Sequence, residues 1–92
     1  MWYVYIIECA DKTLYTGIAK DVPRRIKRHN DKDGGSYTRI RTPVKLAYQE
    51  SQPTYSSALK REAQIKRWPR SKKLALIRGN RVSMVIPFWA SA

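Results

Sequence analysis

The chain opens with two apolar stretches separated by a short polar link. Residues 2–9, WYVYIIEC, and residues 13–20, TLYTGIAK, are rich in aromatic and β-branched side chains, which favour strands. Only Ala10, Asp11 and Lys12 lie between them, and a link this short is typical of a tight turn. The pattern therefore predicts an antiparallel β-hairpin at the start of the fold.

A helix is predicted directly after the hairpin. Asp21 is suited to cap its first turn, and Pro23 falls where a missing N–H does no harm. The helical pattern continues to about Asn30, where the run DKDGGS ends it.

A third strand is predicted later in the chain. In residues 43–50, PVKLAYQE, apolar side chains alternate at Val44, Leu46 and Tyr48. We expect these three side chains on one face of the strand.

Two further helices are predicted in the last third of the chain. Ser56 or Ser57 begins the first, which must end before Pro69. SKKLALIR, residues 71–78, forms the second, and Gly79 with Asn80 ends it.

The order β-β-α-β-α-α with short links predicts an α+β fold class, with a small and mainly antiparallel sheet. We expect one domain over residues 1–80, because the chain has 92 residues of which 42% are hydrophobic. The apolar tail, residues 81–92, contains Pro87 and has no clear period. It docks as an edge strand or is partly disordered.

Charge points to a class of partner. Nineteen Lys and Arg residues against seven acidic ones give a formal net charge of +12, which attracts polyanions, nucleic acid first among them.

Cys9 is the only cysteine, which excludes a disulfide framework and favours a buried thiol in a reducing cytoplasm. The amino terminus has neither a signal-peptide pattern nor a membrane-spanning length, so we expect no membrane partner. Oligomeric state stays open.

Polar side chains stand at inward positions of two helices. On a helical wheel Ala58, Leu59 and Ile65 share one arc, and Glu62 lies in its middle with Lys66 at its edge. An inward carboxylate costs several kcal/mol unless a cation or hydrogen bonds meet it. Glu62 therefore either pairs with a neighbouring cation for stability or lines a cleft and holds a metal ion.

The first helix shows the same anomaly. His29 lies one turn from Ile26 on the inner face, with Arg25 at its border, whereas Lys27 and Arg28 point away. A single inward histidine is often a core residue, but its proximity to Arg25 and Glu62 favours a functional site.

Gly17 interrupts the second strand beside Tyr15. A position without a side chain lets a ligand or another backbone approach closely, or it marks a bulge. Whether Tyr5 and Tyr15 share a face depends on the hairpin register, because a slip of one residue would separate them.

Four stretches of the chain, taken in order, resemble the GIY-YIG nuclease family, and the resemblance covers roughly residues 2 to 78. They are YVYI, YTG ten residues later, DVPRRIKRH and ALKREAQIK. Small members that consist of little else are the most similar. Val4 replaces the first glycine of the name-giving triplets and Thr16 the second isoleucine. Ile18 stands where several members have a lysine, and the asparagine that several carry after the glutamate helix has no counterpart.

The resemblance implies a three-stranded antiparallel sheet flanked by helices, and a metal-dependent endonuclease that hydrolyses phosphodiester bonds in DNA. By position it implies Glu62 as the ligand of Mg²⁺ or Mn²⁺, and as catalytic residues Tyr5, Tyr15, Arg25, His29 and, more loosely, Tyr37. Mg²⁺ keeps most of its waters, so one carboxylate can suffice. Arg25 would bind a phosphate oxygen, and Tyr15 would activate the nucleophile.

Further cations surround this site. We expect contacts to double-stranded, branched or single-stranded DNA from Gly17, Arg39, Arg41, Lys66, Arg67 and Lys73. Trp68 packs between helices. Two alternatives stay open: a basic nucleic-acid-binding module with little turnover, and a partner-binding domain with an inert pocket.

Overall fold

A computed structural model describes residues 1–31 and 41–89, with side-chain detail up to residue 79. In these ranges the elements are β1 (Trp2–Glu8), β2 (Leu14–Ala19), α1 (Val22–Asn30), β3 (Lys45–Gln52), α2 (Tyr55–Lys66) and α3 (Arg70–Trp89). The strands form an antiparallel sheet in the order β2-β1-β3. The α+β class and the order of the elements are therefore as the sequence predicts.

Each face of the sheet carries its own apolar cluster. On one face Tyr5, Ile7 and Cys9 pack with Val22 of α1. On the other face Val4 and Ile6 pack with α2 and α3 through Ala58, Ile65 and Ile77. Because successive side chains of a strand point to opposite faces, β1 serves both clusters, and its residues from Val4 to Ile7 are all buried. The fold thus has three layers, with β1 in the middle of the central one.

The caps of the helices explain where two of them begin. The Asp21 carboxylate accepts the Arg24 N–H at 3.1 Å, so α1 starts as predicted. Helix α2 begins at Tyr55 and not at Ser56 or Ser57, because Thr54 and Ser57 form a capping box in which each side chain bonds the other's backbone N–H.

The third strand departs from the prediction in extent and in pattern. It starts at Lys45, since both backbone polar groups of Val44 are bonded to the Asn30 side chain of α1. A register shift between Ile6 and Ile7 breaks the alternation. Val44 consequently joins the cluster under α1, whereas Tyr48 packs against the cluster on the other face.

Two predictions about the later helices are wrong. Leu59 is 39% exposed, because the buried stripe of α2 follows Ala58 and Ile65. Helix α3 does not end at Gly79 and Asn80 but continues to Trp89, where the tail was expected to leave the helix. A glycine inside a helix costs only about 1 kcal/mol relative to alanine, which is too little to stop one by itself. Within the described residues, no helix has the length and apolar character needed to cross a membrane.

Candidate active site

The hairpin register places the two tyrosines together. Tyr5 lies directly opposite Gly17, and Tyr15 lies two residues before Gly17 on β2. Side chains opposite each other, and side chains two apart, point to the same face of a sheet. Tyr5 and Tyr15 therefore share the face covered by α1, which the sequence could not decide.

Gly17 is needed because the Tyr5 ring lies across it. A Cβ at this position would be 2.6 Å from the Tyr5 hydroxyl oxygen, 2.7 Å from its Cζ and 3.2 Å from Cε2 of Tyr15. Carbon atoms pack best at about 3.5–4.0 Å. The glycine thus makes room for both phenols and is itself buried beneath them.

Helix α1 brings His29 to the same phenols. His29 is 1% exposed, and its Nε2 lies 3.1 Å from the Tyr5 hydroxyl oxygen. The ring of Tyr15 meets that of His29 edge-on, with centroids 5.5 Å apart. Tyr5, Tyr15 and His29 therefore form one packed group.

Burial sets the protonation of the Tyr5–His29 pair. Burial, with the nearby Tyr15 phenol, raises the pKa of Tyr5 to about 12, even though Arg25 opposes the change. Burial and the positive charges of Arg25 and Arg28 lower the pKa of His29. At neutral pH the protonated phenol therefore shares a hydrogen bond with Nε2 of a neutral imidazole, and the tautomer of the imidazole sets the direction of that bond.

Arg25 lies at the border of the inner face of α1, half-buried. Its positive charge and its hydrogen bonding to the phenol both favour the ionised form of Tyr5. It also lines a cleft on the outer side of the helix. Arg25 thus contacts the Tyr5 phenol on one side and the solvent-filled cleft on the other.

Helix α2 supplies the acidic side chain. The Glu62 side chain is 18% exposed, and its Oε2 lies 3.4 Å from Nζ of Lys66, one turn later. The Lys66 ammonium in turn lies 5.9 Å from the centroid of the Tyr15 ring. The negative charge of Glu62 acts on Tyr5 as well, since it contributes to raising the pKa of that phenol. Glu62 is therefore largely shielded from solvent and close enough to Tyr5 for its charge to act on that phenol.

The departures from the family's sequence pattern lie on the other face. Val4 and Ile18 belong to the cluster under α2 and α3. Thr16 is buried on the same side, and its hydroxyl has no hydrogen-bond partner among the described residues. These three side chains therefore lie on the face of the sheet opposite Tyr5 and Tyr15. Lys66 brings an ammonium close to Tyr15 from α2.

The cations expected to contact DNA are spread over the molecule. Arg41 lies by the β1–β2 turn, where its Nε is 3.1 Å from a carboxylate oxygen of Asp11. Arg67 is exposed at the end of α2, and Lys73 is half-buried on α3. Tyr37 and Arg39 lie outside the described residues.

Trp68 lies where it was expected, whereas Arg61 has an acidic partner that the sequence did not predict. Trp68 packs against the cluster under α2 and α3, as expected, and carries the cations of Arg61 and Lys72 on its ring at 5.2 and 4.4 Å. Arg61 lies opposite the apolar arc on a helical wheel of α2, yet in the fold its Nε is bonded to a carboxylate oxygen of Glu50 on β3 at 2.9 Å. A wheel describes one helix and so cannot show the acid that a neighbouring strand brings to it.

Residues that the sequence did not single out line the cleft beside Arg25. The cleft has a volume of about 380 Å³, and most of its wall is formed by Trp2, Lys20, Arg24 and Arg28. The spacing of Arg24 and Arg28, four residues apart on one helix, is the signal that could have found them.

Most of the chain matches a known protein family and known proteins. The family model of the GIY-YIG catalytic domain matches residues 1–75. A UPF0213 protein of Staphylococcus saprophyticus is 56% identical over 75 residues, which cover 82% of this chain and 92% of that protein. A UPF0213 protein of Staphylococcus aureus strain Mu3 is 54% identical over 76 residues, covering 83% of this chain and 93% of its own length.

Two solved structures have the same fold. The solution structure of the UPF0213 protein BH0048 from Bacillus halodurans matches with a TM-score of 0.55 and 42% identity, over 85% of this chain and 84% of that one. The solution structure of the protein EF2693 from E. faecalis matches with a TM-score of 0.59 and 32% identity, over 87% and 85% of the two chains. The chain therefore belongs to the GIY-YIG catalytic domain family, within the nuclease superfamily.

Proposed function

We propose that the protein is a divalent-metal-dependent endonuclease that hydrolyses phosphodiester bonds in DNA. The observation that carries this proposal is the convergence of a largely buried carboxylate, Glu62, with the phenols of Tyr5 and Tyr15. Arg25 stands beside the same phenols. A hard oxygen donor, a fork of cationic N–H donors and a phenol are the groups that metal-assisted phosphoryl chemistry uses.

The donor set fits a hydrated Mg²⁺ or Mn²⁺ ion. The described residues contain no group of three or more His, Cys, Asp or Glu side chains that could enclose a metal. Mg²⁺ commonly keeps several waters and binds one or two carboxylates together with substrate phosphate oxygens, so Glu62 is a sufficient protein ligand. When bound there, the ion would offset negative charge on the scissile phosphate and on the leaving oxygen.

Arg25 and Tyr15 would act on the substrate directly. The guanidinium of Arg25 would bind a non-bridging oxygen of the scissile phosphate and stabilise the charge that develops there. Tyr15 is half-buried and would orient the attacking water with its hydroxyl oxygen. In its phenolate form it would take the proton that the water loses on attack and so become the neutral phenol.

Tyr5 and His29 would act as a neutral pair. With a pKa of about 12, Tyr5 keeps its proton at neutral pH, which makes it a poor general base. His29 is neutral, and its Nε2 is already hydrogen-bonded to the Tyr5 hydroxyl. The pair would therefore form the buried base of the site and could relay a proton, whereas Tyr15 would act as the general base.

One observation favours the second candidate, a nucleic-acid-binding module with little turnover. The Lys66 ammonium lies 3.4 Å from the Glu62 carboxylate, on the group that a metal must reach. If this ion pair persists when DNA binds, the basic surface would hold DNA without cutting it. Only turnover separates the two candidates, because both bind DNA in a salt-dependent way.

The test compares two single variants that each remove one carboxylate paired with a lysine. Glu62→Gln changes the proposed metal ligand, and Glu8→Gln changes a half-buried glutamate whose partner is Lys45 at 3.2 Å. Plasmid, single-stranded and branched DNA are incubated with each protein in Mg²⁺ or Mn²⁺. We expect Glu62→Gln to lose roughly a hundredfold or more in rate, with Glu8→Gln close to the parent protein. Equal cutting by both variants, or no cutting by the parent, would overturn the proposal.

A further inference from the structure

A basic cleft opens between the start of β1 and the outer side of α1. It has a volume of about 380 Å³ and includes Trp2, Lys20, Asp21, Arg24, Arg25 and Arg28 in its lining. Four cationic side chains against one carboxylate leave an excess of three formal positive charges. Such a concave, positively charged surface concentrates anions.

Three of the four cations of the cleft have no acidic partner among the described residues. In the ranges that the structure describes, Lys20, Arg24 and Arg28 have no carboxylate within ion-pair distance of their side chains. By contrast, Lys27 on another side of the same helix bonds Asp31 at 2.7 Å. The Asp21 carboxylate is occupied by the Arg24 backbone N–H, which it caps. The cations of the cleft are therefore open to an anion from solvent.

The helix aligns the arginines with the candidate active site. Arg24 and Arg28 are four residues apart and Arg25 and Arg28 three apart, so the three guanidinium groups emerge on neighbouring parts of one helix surface. Arg25 borders both the cleft and the Tyr5 phenol. A strand whose scissile phosphate lies at Arg25 would carry its next phosphate into the cleft.

Trp2 gives the cleft a fixed flat wall. Its ring packs against the tilted ring of Tyr55, with centroids 4.8 Å apart, and Nζ of Lys20 lies 5.2 Å from its centroid. A sugar or a base can pack on an indole while the attached phosphate meets the arginines. The cleft therefore combines the two kinds of contact that one nucleotide needs.

We propose that this cleft is a subsite for the phosphate of the nucleotide adjacent to the bond that is cut, held by Arg24 and Arg28 with its sugar against Trp2. The subsite rests on the proposed nuclease function. Paired guanidinium groups suit a phosphate, since each can present two parallel N–H donors to its oxygens.

The experiment measures binding separately from cutting. All proteins carry Glu62→Gln and are assayed in EDTA, so that a fluorescent DNA duplex stays intact during anisotropy titrations at several salt concentrations. The cleft variant adds Arg24→Gln and Arg28→Gln. The control variant adds Lys12→Gln and Lys45→Gln, which remove the same charge near the β1–β2 turn, at the other end of the sheet.

We expect the cleft variant to bind roughly tenfold more weakly than the control. The slope of log Kd against log salt should fall by about 1, because one phosphate contact is lost. Equal losses in the two variants would mean that only overall charge matters and would overturn the subsite. If polyglutamate at equal charge concentration displaces the DNA, the cleft has no preference for phosphate and the proposed subsite is overturned. If the parent protein does not bind DNA, the subsite is overturned as well.

The outcomes for the subsite and for the proposed function can be told apart. If the protein with Glu62 intact cuts DNA but the cleft variant binds like the control, the subsite is refuted and the nuclease stands. If nothing is cut but the cleft variant still loses affinity and slope, the hydrolytic function is refuted, and the cleft is supported only as a site that binds a DNA phosphate.

Discussion

Substitution of Gly17 by alanine tests the packing on which the candidate site depends. The added methyl would lie 2.6 Å from the Tyr5 hydroxyl oxygen and 2.7 Å from Cζ of the same ring. Tyr5 is 1% exposed, so the ring cannot move out into solvent. The ring must instead shift against α1, which stretches its hydrogen bond to His29.

The expected cost follows from these contacts. Overpacking a core typically costs about 1–3 kcal/mol, and a lost hydrogen bond adds about 0.5–1.5 kcal/mol. Alanine restricts the unfolded chain more than glycine does, which offsets about 0.4–1 kcal/mol. The free energy of unfolding should therefore fall by about 0.5–4 kcal/mol, and each kcal/mol lowers Tm by about 4–8 °C in a domain of this size.

Thermal and urea unfolding followed by circular dichroism measure this loss, and the chain contains its own control. A Cβ at Gly79 on α3 would meet nothing within 4 Å, so Gly79→Ala should be neutral or stabilising by up to about 1 kcal/mol. Tyr5→Phe removes one of the two close atoms, so Gly17→Ala should cost less in that background. If Gly17→Ala is as mild as Gly79→Ala, the close approach of the Tyr5 ring is not real.

Two other substitutions test the surroundings of the site. Thr16→Val should raise the free energy of unfolding by about 1–2 kcal/mol in urea titrations, because the buried hydroxyl has no partner among the described residues; a loss of stability would show that the hydroxyl is in fact bonded. Burial and nearby arginines lower the pKa of His29 from 6.5, so the folded state takes up its proton less readily than the unfolded state does. Stability should be at full strength above about pH 6.5 and should decline as the pH falls through and below that value, by at most about 1.4 kcal/mol per pH unit. His29→Gln should remove this decline, and a stability that does not change between pH 7.5 and 5.5 in the parent would contradict it.

Local signals sufficed where one residue decides the structure. Asp21 and Pro23 mark the start of α1, and the observed helix begins between them. The start of α2 was harder, because PTYSS offers three possible caps, and Thr54 is favoured since it pairs with Ser57. The predicted end of α3 was wrong, because a single glycine such as Gly79 does not by itself end a helix.

Contacts between elements explain the remaining errors. The sequence predicts which residues are unusual at the site, but the shared face of Tyr5 and Tyr15 depends on strand pairing. The bulge in β3 arises from pairing too, and it moves Val44 and Tyr48 to opposite faces. The pairing of Arg61 with Glu50 likewise joins two elements that are distant in the sequence.

The basic cleft shows the same limit. Trp2 comes from the start of β1, Lys20 from the end of β2 and Arg24 from α1. Each appears in the sequence as an ordinary surface residue. Only the closed hairpin brings them to one concave surface next to Arg25.

The central claim is that Glu62 holds a divalent cation beside the two tyrosines. The most direct test is a crystal structure of the protein with Mn²⁺, because anomalous scattering locates the ion without reference to activity. We expect a peak at bonding distance, about 2.0–2.3 Å, from a Glu62 carboxylate oxygen on the side of Tyr5 and Tyr15, with the Lys66 ammonium displaced from that carboxylate. An ion bound elsewhere, or a Glu62 still paired with Lys66 at saturating Mn²⁺, would contradict it.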